Sequence, residues 1–330
     1  MDFMAEFEAT RSKSQQSAWR RLFQMKRGEW REARWGLIFI SPWLVGFLLF
    51  YLVPMIASLW FSTLDFTLSN PEAAEFVGLA NWRRMLFEDP NTWVSLGVTF
   101  LFAAISLPIG MISAFMLAVL LNSEDLMGKN LFRTLFYAPT MVPLIAAILI
   151  WSQVLNPQTG WVNRGLEALG INATGVDGLR WFDDPSLVYI AYTFIGLWGI
   201  GNAILINLSA LQGVPTSLYE SAKVDGASWL RRLWAITLPM VSPVIFYNLI
   251  LSMVGLLQYF IVPWVLTNGD GSPQGTTRFY MVYFYKQAFT FQNMGYGAAL
   301  AWLMFIVGIV ITFFLFRTAR HWVYYSGESK

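Results

Sequence analysis

The sequence contains no cysteine and a single histidine in 330 residues. Disulfides and thiolate chemistry are therefore unavailable to it, and a cysteine–histidine metal cluster is excluded. No G-x-x-x-x-G-K-[ST] segment occurs, so this chain cannot hold ATP in a phosphate loop. A nucleophile–histidine–acid set would have to recruit His321, which is far in sequence from any partner, so the chain is not expected to be an enzyme. Charge is the scarcest feature: Asp, Glu, Lys and Arg supply 13% of the residues, where a soluble domain has about a quarter.

The placement of those charges says more than their number. Six intervals have no charged residue at all: 35–64, 90–123, 134–163, 185–219, 233–269 and 287–316. The shortest is 30 residues, and a helix needs only about 20 to cross the hydrocarbon core. The expected fold is thus all-α and membrane-integral, with six transmembrane helices, because lipid offers an open backbone no partners. Sixteen of the 22 Lys and Arg residues fall before residue 35, in 124–133, in 220–232 or after 316. That bias puts both termini, and the segment between the fourth and fifth intervals, in the cytoplasm. The formal charge of +2 then reflects topology, and no nucleic-acid partner is expected.

Taken in order, residues 1–34 are too polar for a cleavable signal peptide. Trp19, Leu22, Phe23 and Trp30 among Arg20, Arg21, Lys26, Arg27, Arg31 and Arg34 suggest a basic amphipathic helix on the inner leaflet. The membrane domain spans 35–320, and 321–330 is a short tail. Residues 64–91, 156–186 and 268–294 read as outer loops, the second with a short helix near Val162–Leu169. Pro139 and Pro143 predict a kink in the third span, and Gly196, Gly199 and Gly201 allow close approach in the fourth.

The stretch Gly213–Pro243 carries the most information. Pro215 ends the preceding helix, Ser217-Leu-Tyr-Glu220 reads as a capping box, and Gly226 can take the left-handed conformation that stops a helix. Two short helices at a sharp angle are expected, with Leu238-Pro239 turning the second into the next span. Glu220-Ser221-Ala222, then Gly226, then Ile236-Thr237-Leu238-Pro239 resembles the E-A-A-x-x-x-G-x(9)-I-x-L-P loop of ABC importer permeases. Ser221 in place of alanine is the one departure. Asn81-Trp82, Asp89-Pro90, Phe132-Arg133-Thr134, Asn156-Pro157 and Thr267-Asn268-Gly269 resemble the carbohydrate branch, with its maltose and glycerol-3-phosphate permeases.

The resemblance implies a type I ABC importer permease fold in the inner membrane of a bacterium or archaeon. Its partners would be a second permease, two copies of a cytoplasmic ATPase carrying ATP and Mg, and an external sugar-binding protein; this chain would need no cofactor of its own. Tyr219, Glu220, Ser221, Ala222, Asp225 and Gly226 would form the coupling contact with the ATPase, inside the loop 213–238. The family's sugar contacts fall on Trp198, Gly199, Asn202, Ser252, Gly255, Leu256 and Tyr259, with Gln258 beside them. No acid or base occurs within the spans, and Gln153, Asn207 and Asn248 add neutral polar groups. Such a lining suits an uncharged, hydroxyl-rich solute, since amides both give and accept hydrogen bonds. For each aromatic the plainer reading is interfacial anchoring or packing, and for Asn202 and Ser252 an interhelical hydrogen bond. A di- or oligosaccharide is the expected cargo. Glycerol-3-phosphate or another small polar solute is the alternative, and a six-helix channel a remoter one.

Overall fold

A computed structural model describes residues 27–123, 125–174 and 178–324, in two units, 1–60 and 61–330. The expected amphipathic helix over 1–34 falls largely outside the described residues. In the first unit, α1 (Arg27–Phe47) and a π-helical turn (Leu48–Leu52) lead into α2 (Val53–Phe61). Most of their apolar side chains are exposed, Phe39 by 82%.

The second unit opens with a β-hairpin, β1 (Leu64–Thr67) and β2 (Asn70–Phe76). This corrects the reading of 64–91 as plain loop. Its base is fixed from outside the strands. The Asn81 amide donates to the Ser62 and Leu64 carbonyls at 3.0 and 2.8 Å, and Thr67 bridges to Asn293. A β-carbon on Gly295 would lie 1.8 Å from the Leu64 carbonyl. Only glycine permits that approach.

After α3 (Ala80–Arg83) come the long helix α4 (Pro90–Asn122), α5 (Lys129–Tyr137), α6 (Leu144–Val154) and the short α7 (Trp161–Ala168). Next are α8 (Val188–Trp198), α9 (Gly201–Gln212), α10 (Thr216–Val224) and α11 (Trp229–Arg232). The last four are α12 (Leu238–Leu257), α13 (Ile261–Thr267), α14 (Tyr280–Tyr285) and α15 (Met294–Trp322). Among the described residues, four helices are long and apolar enough to span a membrane, and two bent pairs bring the number to six if each pair is one span.

The bends have local causes. In the first pair Pro143 removes a donor and holds Val142 extended, and the segments meet at 105°. That is far sharper than a kink. The second pair bends by 58° at Gly199 and Ile200, inside the glycine-rich stretch. The two breaks nest together: a β-carbon on Gly201 would sit 2.5 Å from the Phe136 carbonyl and 2.8 Å from Thr140 Cγ2. Of the four π-helical turns among the described residues, two, Leu48–Leu52 and Leu233–Thr237, run straight on into a helix with a proline two residues later, Pro54 and Pro239. A proline ring crowds the carbonyl four residues back, and a widened turn relieves that clash.

The hairpin end is held by a polar network. Asp89 caps α4, accepting from the Asn91 amide at 3.0 Å, and its other oxygen accepts from the Tyr283 and Tyr296 hydroxyls. Arg84 lies 4.2 Å over the Tyr296 ring. Burial pushes the Asp89 carboxyl up, but these hydrogen bonds outweigh it and hold the group below the usual carboxylate range. Asn163, fully buried, plays the same organising role for residues 156–181. It donates to the Ala173 and Leu179 carbonyls and accepts from Trp181 Nε1 at 2.6 Å.

Candidate functional site: the motif loop and the central cavity

Pro215, with ψ 126°, is the extended residue from which α10 starts, so Thr216 and Ser217 are already helical. A capping side chain must come from the non-helical boundary residue, and no side-chain cap forms here. The expected Ser217–Glu220 capping box is therefore absent. The other end closes as expected. Gly226 has φ +72°, its amide bonds the Lys223 carbonyl at 3.0 Å, and the Ala227 amide reaches Ala222 at 2.9 Å. That pair of bonds is a Schellman closure.

Ser228 then starts the next helix, its hydroxyl accepting from the Arg231 amide at 3.4 Å. Here the sequence expectation needs a second correction. Leu238-Pro239 makes no turn: α11, the π-helical turn and α12 run on as one helix. Pro239 enters at the first turn of α12, where its missing N–H is offset by the widened turn before it. The loop is thus one short helix, a Schellman turn and the tip of a long spanning helix.

The motif residues separate by face. Glu220, Ser221, Asp225 and Gly226 are exposed, and Ala222 is half-buried. Tyr219 turns inward and packs with Ile236 against Leu208, Leu211 and Val241. Its hydroxyl lies 2.9 Å from that of Thr237, tying the two limbs together. Thr237 belongs to the I-T-L-P part of the motif, yet nothing in the sequence shows that it faces Tyr219.

Between α4, α8–α9 and α11–α12 lies a cavity of about 800 Å³. Leu233, Trp234 and Leu238 line its motif end, and Gly255, Leu256 and Tyr259 its other end, so one continuous helix forms a wall and carries the loop. No charged residue lines it among the described residues. Of the eight pathway residues expected from sequence, Ser252, Gly255, Leu256 and Tyr259 line the cavity. Trp198, Gly199, Asn202 and Gln258 are not in its walls; Gly199, Asn202 and Gln258 are exposed on this chain, and the Trp198 ring meets Trp151 at 6.2 Å. Tyr259 stands where α12 breaks, its ring 4.8 Å from Phe102 and 5.1 Å from Phe279. These aromatics close the cavity toward the hairpin end.

Asn207 and Asn248 also line the cavity and are 4% and 8% exposed. The sequence counted them among the neutral polar groups of the pathway but not among the sugar contacts, because burial of one helix face is not visible in so apolar a pattern. Among the described residues no group of His, Cys, Asp and Glu side chains is placed to hold a metal ion.

Comparison with known proteins accords with this geometry. Residues 107–322 match the family described as binding-protein-dependent transport system inner membrane component. The probable ABC transporter permease protein YesP of Bacillus subtilis is 33% identical over 89% of this chain and 93% of its own. The trehalose/maltose transport system permease protein MalF of Thermococcus litoralis is 31% identical over 88% and 96%. A crystal structure of a bacterial ABC transporter involved in alginate import shares the fold, with a TM-score of 0.73 at 22% identity, over 88% of this chain and 98% of the other. The chain belongs to the binding-protein-dependent transport system inner membrane components, the permeases of ABC transporters.

Proposed function

We propose that this chain is one membrane subunit of an ATP-driven importer that carries a neutral sugar, a di- or oligosaccharide, into the cytoplasm. A second permease would complete the pathway, an external binding protein would deliver the solute, and two ATPase copies would bind ATP and Mg. The observation that carries the reading is the continuity of the helix from the exposed motif loop to the cavity wall. A push on Glu220, Asp225 and Gly226 by a closing ATPase dimer would move that wall as a body, and a ligand that favours one packing shifts the population toward it. The basic bias of the sequence places the loop on the cytoplasmic side.

The solute class follows from the cavity. Its walls offer hydroxyls and amides and no charge, which fits a polyol and leaves an anion without a counter-charge on this chain. Gly226→Pro and Glu220→Lys test the coupling role. Both variants are expected in the membrane at wild-type amounts, with uptake of labelled trehalose, maltose or lactose lost. Normal uptake in either variant would remove the coupling assignment.

A further inference from the structure

The cavity is apolar apart from a few groups, and three of its lining side chains have a buried polar atom without a partner: Tyr259 Oη at the aromatic end, and Asn207 and Asn248 nearer the motif. Asn207 donates its amide to the Ala203 carbonyl at 2.9 Å, which leaves its Oδ1 buried with no partner. Asn248 Nδ2 is likewise buried and unpartnered. One is an acceptor on α9 and the other a donor on α12, in walls of the same cavity. Buried polar groups are normally paired, and each orphan is costly. A hydroxyl placed between them would donate to Oδ1 and accept from Nδ2.

Both residues lie toward the motif end from Ser252 and Tyr259. Asn248 is one helical turn from Ser252, about 6 Å along the axis, and some 16 Å from Tyr259. They therefore mark a level distinct from the aromatic end. We propose that Asn207 and Asn248 form an inner hydrogen-bonding station, at which one hydroxyl of a neutral polyhydroxylated solute pairs with both side chains before release at the motif end. The inference rests on the neutral-solute reading given above. The packing described covers both atoms, so the station opens when α9 and α12 shift against each other. It belongs to the transport step and not to initial capture.

The test uses the whole transporter, purified with its co-assembling subunits and placed in ATP-loaded vesicles, with labelled trehalose, maltose and lactose as probes. Asn207→Leu and Asn248→Leu remove the polar atoms at similar volume, while Asn207→Ser and Asn248→Ser keep one hydrogen-bonding group. The expected result is a loss of about tenfold in turnover per assembled complex for each leucine variant, with KM for the probe little changed, as for an interaction made only after capture. The serine variants should recover at least part of the turnover. Wild-type turnover in the leucine variants, with or without a lowered unfolding temperature, would mean that the amides hold structural water only, and would overturn the station alone. Transport by the wild type of charged solutes and of none of these sugars would overturn both the station and the reading on which it rests.

Discussion

Two glycines show how much single positions decide. Gly226 occupies the left-handed region at φ +72°, where a β-carbon costs about 1–2 kcal/mol. Nothing lies within 4 Å of the place that β-carbon would take, so the cost is conformational and not steric. Gly226→Asn is therefore expected to keep more uptake than Gly226→Val, measured at equal membrane content. Gly201 presents the opposite case: its backbone is ordinary, but the Phe136 carbonyl occupies the space a side chain would need. Overpacking of this kind costs about 1–3 kcal/mol. Gly201→Ala should lower the unfolding temperature of the detergent-solubilised protein, and an unchanged value would mean that the two bent helices can separate freely.

Asp89 gives a pH dependence at the same scale. Its carboxyl is held below the usual range in the folded chain, so its contribution to stability is fully present above the unfolded value of about 3.9. That contribution is lost as pH falls through the lower folded value. Asp89→Asn should flatten the acid side of the stability profile between those two values. An identical acid profile in the variant would show that the tyrosine hydroxyls do not stabilise the ionised form.

At the scale of elements, the continuous helix from Trp229 to Leu257 is the central feature. Tyr219 and Thr237 clamp the loop to it, and Tyr219→Phe should cost about 1 kcal/mol, the worth of one hydrogen bond. Stiffness is the property that matters for coupling. Replacing the exposed Ala235 with glycine softens the turn by about 1 kcal/mol. ATP hydrolysis by the complex is then expected to continue while uptake per ATP falls; an unchanged ratio would contradict a mechanical role for this segment.

The same segment shows what the sequence could and could not reveal. Four of the six charge-free intervals each hold a helix long enough to span a membrane and the other two each hold a bent pair, because burial in lipid forbids unpaired charge, and Gly226 announces its turn because few residues tolerate that conformation. The capping box failed because the helix starts two residues early, with Pro215 at the boundary, so that Ser217 already lies in the first turn. The expected turn at Leu238-Pro239 failed because a π-helical turn absorbs the proline, and no local residue signals such a turn. The hairpin was hidden for a similar reason. Asn70–Phe76 reads NPEAAEF, poor in β-formers, and the strand pairing is fixed by Asn81 and Asn293 from elsewhere in the chain. The cavity wall was half legible: spacing from the motif found Ser252 and Tyr259, but not which face of α9 turns inward, so Asn202 was placed there ahead of Asn207.

For the whole molecule, two ends with different chemistry are joined by an uncharged cavity. The hairpin end is tied together by Asp89, and an aromatic cluster of Phe102, Tyr192, Tyr259 and Phe279 meets the cavity at Tyr259. The motif end carries an exposed acidic and small-residue surface on α10 and its closing turn, tied through Tyr219 and Thr237 to the helix that reaches the cavity. Such an arrangement can convert an event at the loop into a change at the cavity, and it needs a partner to supply the event. The most direct measurement is mass spectrometry of what co-purifies with the tagged chain from mild-detergent extracts of its native membranes, in parallel with the Glu220→Lys variant. A nucleotide-binding ATPase and a permease partner are expected with the wild type, and the ATPase should be depleted from the variant. Recovery of the chain alone, or the same ATPase yield from both, would contradict the assignment of the motif loop as the coupling surface.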